Sequence, residues 1–233
     1  MSDKKIYSEI DLQKHLINQV ELDGSYIRLL GYGMSLPFLR KLAKRIGKNH
    51  DLAISLWDFK FRDAKVLASL IGEPDKVSKT QMQKWVKDFG NWEECDQCCN
   101  NLFVYSRHAP AMAEKWKDST ALYTKRAGYV LMALLAVHDK NMQNDRFSLF
   151  LNSAPKGITD DRKEVLKGIS WMIRQIGKRN PTLWKEAINL CNTLNRQDIG
   201  KGKSVITESL RELNSTQVLK KIERFNSKKG VQK

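Results

Sequence analysis

Apolar positions recur along this chain at intervals of three and four, the spacing of one face of an α-helix. Leu36, Leu39, Leu42, Ala43 and Ile46 form one stripe, with Ser35 placed to cap it and Pro37 in its first turn. Ala64, Leu67, Ala68 and Ile71 form another, closed by Gly72 and Pro74. The same period predicts helices over 78–89, 92–104, 109–116, 120–138, 144–151, 160–178, 182–194, 202–213 and 216–226. Pro110 and Pro181 fall at helix starts, and Pro155 lies in a turn beside Gly157. No stretch alternates as a half-buried strand would, and no Asn-Gly turn joins two apolar runs, so the reading is all-α.

The rhythm of these helices narrows the class further. Long apolar helices begin near 60, 92, 122, 162 and 202, each preceded by a shorter, more polar one. An interval of 30 to 40 residues between equivalent helices is that of stacked antiparallel pairs, an α-solenoid whose curvature provides a concave face. No Gly/Ser tract interrupts the series, so one domain is expected over 1–233, with 228–233 as a loose tail.

Composition removes several alternatives. A chain of 233 residues that is 41% hydrophobic can bury a sizeable core and is not disordered. Its longest apolar run, Ala127 to Val137, is far too short for a bilayer span. Met1 to Asp11 is polar throughout, unlike an export leader, so a cytoplasmic protein is expected. Cys95, Cys98, Cys99 and Cys191 are too clustered for a disulfide framework, and no histidine stands at zinc-finger spacing from them. On a helix Cys95 and Cys99 are small core residues, and no metal or cofactor is expected.

Charge adds a partner. The 41 Lys and Arg outnumber the 26 Asp and Glu, giving a net charge of +15. Residues 156–233 carry 18 basic and 8 acidic side chains, residues 1–90 carry 16 and 11, and residues 91–155 carry 7 of each. Such a distribution suits phosphate neutralisation, with nucleic acid as the commonest partner, although a basic solvated surface has the same arithmetic. Arg174, Lys178 and Arg179 close a helix that is otherwise apolar or aromatic, where they serve either phosphate or the helix dipole.

Familiar catalytic signatures such as HExxH, the P-loop, GxGxxG and GxSxG are missing. In Asn91-Trp92-Glu93-Glu94-Cys95-Asp96, Trp92 and Asp96 stand one helical turn apart on one face. Arg126 opens the apolar helix that follows Tyr123, and Trp171 lies mid-helix in Gly168-Ile169-Ser170-Trp171. From pattern alone, a tryptophan in a helical repeat commonly belongs to the core, and Asp96 and Arg126 read equally well as a buried pair.

The order and spacing of these blocks resemble the AlkD-like DNA alkylation repair family of HEAT-like repeat DNA glycosylases. The matching segments are Leu56-Trp57 through Ala68-Ser69, Phe89-Gly90-Asn91-Trp92 through Asp96, Tyr123 to Val130, and Gly168-Ile169-Ser170-Trp171 through Lys178, which together cover most of the chain. The resemblance implies HEAT-like helix pairs cupping duplex DNA on a basic concave face. It also implies hydrolysis of the N-glycosidic bond of cationic N3- or N7-alkylated purines, with the lesion left largely exposed. By position, Trp92, Asp96 and Trp171 fall on the family's catalytic aromatic and acidic residues. Arg126 falls on a position that holds a DNA phosphate, and the charge reading adds Arg174, Lys178 and Arg179 as further DNA-binding candidates. Alkylated duplex DNA is the implied partner of a monomer that needs no membrane and no obligate protein.

Two departures accompany the match. Family members carry two helices before the segment Gly33-Met34-Ser35-Leu36-Pro37, whereas one, over Tyr7 to Val20, is predicted here. Asp63 also stands where a glutamate is expected. A non-catalytic DNA-binding scaffold with weakened lesion recognition is the alternative, and a protein-binding solenoid the third.

Overall fold

The computed structural model describes residues 34–230, so the helix predicted over Tyr7 to Val20 and the departure resting on it lie outside the described residues. The described residues are helical, with no strand among them. They divide between two compact units that meet in sequence at Arg107 and His108.

The first unit begins with α1 (Leu36–Ile46), α2 (His50–Asp58) and α3 (Arg62–Ile71). Ser35 caps α1 as expected, and Leu39 and Leu42 are buried. The pattern set no bounds for α2, whose apolar face is only Ala53, Leu56 and Trp57; Asn49 caps it by accepting from the Leu52 amide at 3.0 Å. Helix α3 is buried almost all round, and its C-terminal carbonyls find partners within the fold. Lys48 Nζ answers two of them, donating to Leu70 O at 3.0 Å and Gly72 O at 2.9 Å. Next come α4 (Lys79–Trp85) and α5 (Trp92–Asn101). The helices predicted over 78–89 and 92–104 each tighten into a terminal 3-10 turn, at Val86–Asp88 and Phe103–Tyr105. An aromatic core joins these elements. Trp57 stacks on Trp85 at 4.0 Å, and Phe89 meets Trp57 edge-on at 6.0 Å.

The second unit runs from α6 (Ala109–Trp116) and α7 (Leu122–His138) through α8 (Asn144–Leu151) and the single turn α9 (Ala154–Gly157). It continues with α10 (Lys163–Gly177), α11 (Pro181–Asn195), α12 (Gly202–Leu213) and α13 (Thr216–Gly230). Pro155 therefore opens a short helical turn, and helix persists past Lys228, where a tail was expected, to Gly230. Every residue of α7 from Arg126 to Ala136 is buried, as an apolar helix packed on all sides requires. Helix α10 packs against α7, α11 and α12. The architecture is an α-solenoid of stacked helix pairs.

Gly128 sets how closely α7 meets the turn after α6. A β-carbon there would lie 2.4 Å from Lys117 N and 2.9 Å from Lys117 Cα, against main chain that cannot swing aside. Gly128→Ala is expected to cost about 3 kcal/mol in a thermal or urea unfolding measurement, the upper end of typical overpacking penalties.

Long-range side-chain bonds keep the period of the repeat. Arg62 reaches Glu93, Lys65 reaches Glu94 and Trp57 reaches Asp88, at separations of 31, 29 and 31 residues. In the second unit Lys125 reaches Asp160, Ser170 reaches Ser209 and Lys178 reaches Glu212, at 35, 39 and 34. Within each unit, neighbouring repeats are thus tied at intervals of about one repeat.

Candidate functional site

Trp92 is the first residue of α5 and is 57% exposed, unusual for the largest apolar side chain. Its neighbours explain why it is held there. Asn91 accepts from the Glu94 amide at 3.0 Å, and Glu94 in turn accepts from the Gly90 amide at 2.9 Å, close to a capping box. Glu93 is gripped by both Arg62 Nε and Nη2, and Glu94 accepts from Lys65 Nζ at 2.8 Å. Lys65 also donates to Asp88 O at 2.6 Å and lies over the Trp57 ring at 5.8 Å. Two glutamates directed into α3 leave the residue before them facing out. Asp96, one turn along on the same face, is half-buried, while Cys95, Cys98 and Cys99 fill the interior side.

Nothing in the sequence reading anticipated this scaffold. The signal available was the repeat interval itself, which separates two cations of α3 from two acids of α5 by about one repeat. Asp63, noted as a departure, is fully buried; it accepts from the Met34 amide at 3.0 Å and pairs with Arg62. Its shorter side chain is therefore committed to holding the entry to α1.

The remaining candidates belong to the second unit. Arg126 is buried to 5% exposure and donates to the carbonyl of Glu164 in the first turn of α10. Its side chain passes beside Gly168, where a β-carbon would meet Arg126 Cγ at 3.7 Å, an ordinary contact. Trp171 follows one turn later and is half-buried. With the Gln175 amide oriented to pair both its groups, Gln175 Oε1 accepts from Trp171 Nε1 at 3.0 Å and from Lys178 Nζ at 3.2 Å. Arg126 and Trp171 thus flank Gly168 along the contact of α7 with α10.

The basic residues at the end of α10 are engaged inside the fold. Arg174 pairs with Glu208 and Glu212, and Lys178 with Glu212 at 2.7 Å, binding α10 to α12. Arg179 donates to Ala136 O at 3.0 Å and Met142 O at 3.2 Å and covers the Phe147 ring at 4.4 Å, fixing the loop between α7 and α8. Desolvation lowers its guanidinium below the usual arginine range. Burial pushes the Cys98 thiol well up and the Cys191 thiol up to about 12, so neither offers a thiolate at neutral pH. Among the described residues no helix is long and apolar enough to cross a membrane.

Comparison with known proteins gives this arrangement a lineage. The chain is similar to the uncharacterized protein Lin0241 of Listeria innocua serovar 6a, at 23% identity over 176 residues, covering 74% of this chain and 76% of that one. A solved structure from a new family of proteins related to the HEAT-like repeat DNA glycosylases, with affinity for branched DNA structures, matches 89% of this chain and 90% of its own. Its TM-score is 0.67 at 16% identity, a likeness of fold. The model of the DNA alkylation repair enzyme family matches residues 28–205, a span holding Trp92, Asp96, Arg126 and Trp171, and the chain belongs to that family.

Proposed function

We propose that this protein binds duplex DNA and hydrolyses the N-glycosidic bond of cationic N3- or N7-alkylated purines. The observation that carries the reading is Trp92, solvent-facing at a helix start clamped by Arg62–Glu93 and Lys65–Glu94, with a carboxylate one turn away. An alkylated purine already bears positive charge, so it departs as a neutral base with the bond's electron pair and needs little acid help. Positive charge then develops on the sugar. Asp96 stabilises it and orients the water that adds to the anomeric carbon, taking up that water's proton.

Trp92 offers a π-face to the sugar and the cationic base, an interaction of about 0.5–2 kcal/mol. Trp171 has the same chemistry in the second unit, where its ring nitrogen is held by Gln175. In the second unit, buried Arg126 contributes a fixed positive charge for the DNA backbone rather than a mobile arm. Arg174 and Lys178 exchange half-exposed carboxylates for backbone phosphates farther along, and Arg179 holds the adjoining loop in shape.

The affinity for branched DNA of the structurally similar family favours a second reading, binding of DNA structure without excision. Incubation with methylating-agent-treated duplex separates the two. Release of free methylated base supports the hydrolase. Tight binding to a four-way junction with no base released at enzyme excess establishes the scaffold instead.

A further inference from the structure

At the far end of α7 from Arg126, roughly 18 Å along the axis for 12 residues, lies a cavity of about 930 Å³. The ends of α7 and α10, the loop before α8 and one face of α13 border it, and it opens broadly to solvent. Its lining gathers Lys140, Lys178, Arg179 and Lys221, with Asp145 as the acid, around the apolar Val137 and Phe225. Lys178 and Arg179 are tethered, to Glu212 and to main-chain carbonyls; Lys140 donates to Val137 O. Partial desolvation, and after it the like charges of Lys178 and Lys140, lower the Lys221 ammonium below the usual lysine range. Like charges so placed are a standing cost that an anion removes. The volume suits a ligand of nucleotide size.

A second depression of about 690 Å³ shares Asn144, Asn180 and Phe225 with the first and continues along α11 past Lys185 and Glu186 to Asn189, the Glu186 carboxylate accepting from Ser148. Phe225 therefore lines both, presenting a partly exposed ring to each. One compartment rich in cations, an aromatic at its border and a continuing track match successive parts of one strand: a terminal phosphate, a base, and the next nucleotide.

We infer that these two depressions hold the phosphorylated end of a single nucleic-acid strand, its terminal phosphate among Lys140, Lys178 and Lys221 and a base against Phe225. A free nucleoside monophosphate carries the same chemistry, and the test separates the sources. The strand-end assignment rests on the DNA-binding reading above, but measuring hydroxyl-ended DNA alongside keeps the two failures distinct.

The full chain is titrated by fluorescence anisotropy with a short strand carrying a phosphate at one end, at the other, or at neither. One phosphorylated end is expected to bind about tenfold tighter than the hydroxyl form, as charge-assisted contacts to a doubly charged terminus imply. In Lys140→Gln/Lys221→Gln, both exposed positions, the ratio is expected to fall to about one. Taking the ratio cancels any general loss of charge. Equal binding of all three strands overturns the proposal, as does a preference that survives the double variant. A nucleoside monophosphate that binds as tightly as the strand end overturns the strand-end assignment in favour of a soluble nucleotide.

Discussion

Asp96→Asn is expected to slow release of methylated base by a factor on the order of 100 to 1,000, the range seen when one preorganised electrostatic partner of a transition state is lost. The substitution keeps shape and removes charge, so DNA affinity is expected to stay within a few-fold. Because the leaving group is already cationic, little of the barrier is proton transfer to the base. Most of it is the charge left behind on the sugar, and a neutral amide answers that charge poorly. The measurement is single-turnover release of methylated base from duplex, with affinity measured on the same DNA. Full activity in the asparagine variant removes Asp96 from the mechanism. Loss of both binding and release assigns it to the fold.

Glu94→Ala is expected to be the most destabilising change near the site. Lys65 and Glu94 retain only 6% and 3% of their side-chain exposure, so removing the acid strands an ammonium away from water. Breaking a buried pair in this way costs about 3–5 kcal/mol, roughly 10 °C in melting temperature for a chain of this size. Circular dichroism during heating gives the value. The same substitution removes the acceptor for the Gly90 amide and for the Asn91 side-chain amide, leaving only the Asn91 bond to the backbone N–H of residue 94 to hold the helix start. Base release is therefore expected to fall even below the melting transition. Lys65→Met combined with Glu94→Leu is expected to recover much of the stability, because two apolar groups carry no desolvation cost. If the single variant melts like the parent, the pair is not what holds α5.

These two residues show where reading the sequence succeeds and where it stops. Helices with a full apolar stripe, such as 109–116, 144–151 and 202–213, are placed to the residue even though none of them has a side-chain N-cap. Helix α2 is short, with a face of three residues, and period alone does not delimit it. Trp92 and Asp96 are legible as a pair because their spacing is local. What surrounds them is not, since Arg62, Lys65, Glu93 and Glu94 resemble an ordinary charged surface until the fold sets one helix against another. Charge counting misjudges α10 for a related reason. The excess of cations in the last third is real, yet Glu208 and Glu212 arrive from the next helix to meet Arg174 and Lys178.

The better-buried ties between successive repeats also have a direction. The cation comes first and the carboxylate later in Arg62–Glu93, Lys65–Glu94, Lys125–Asp160 and Lys178–Glu212, whereas the exposed pairs Lys84–Asp58, Arg146–Glu114, Lys156–Asp118 and Lys201–Asp161 run the other way. This is head-to-tail complementarity, the kind that repeats without closing on itself. A helix pair copied whole and inserted in the same orientation would bring an acid for its predecessor and a base for its successor. Descent by duplication could thus lengthen such a chain without leaving a buried charge unmatched, whereas an insertion of half a repeat would break the pairing on both sides.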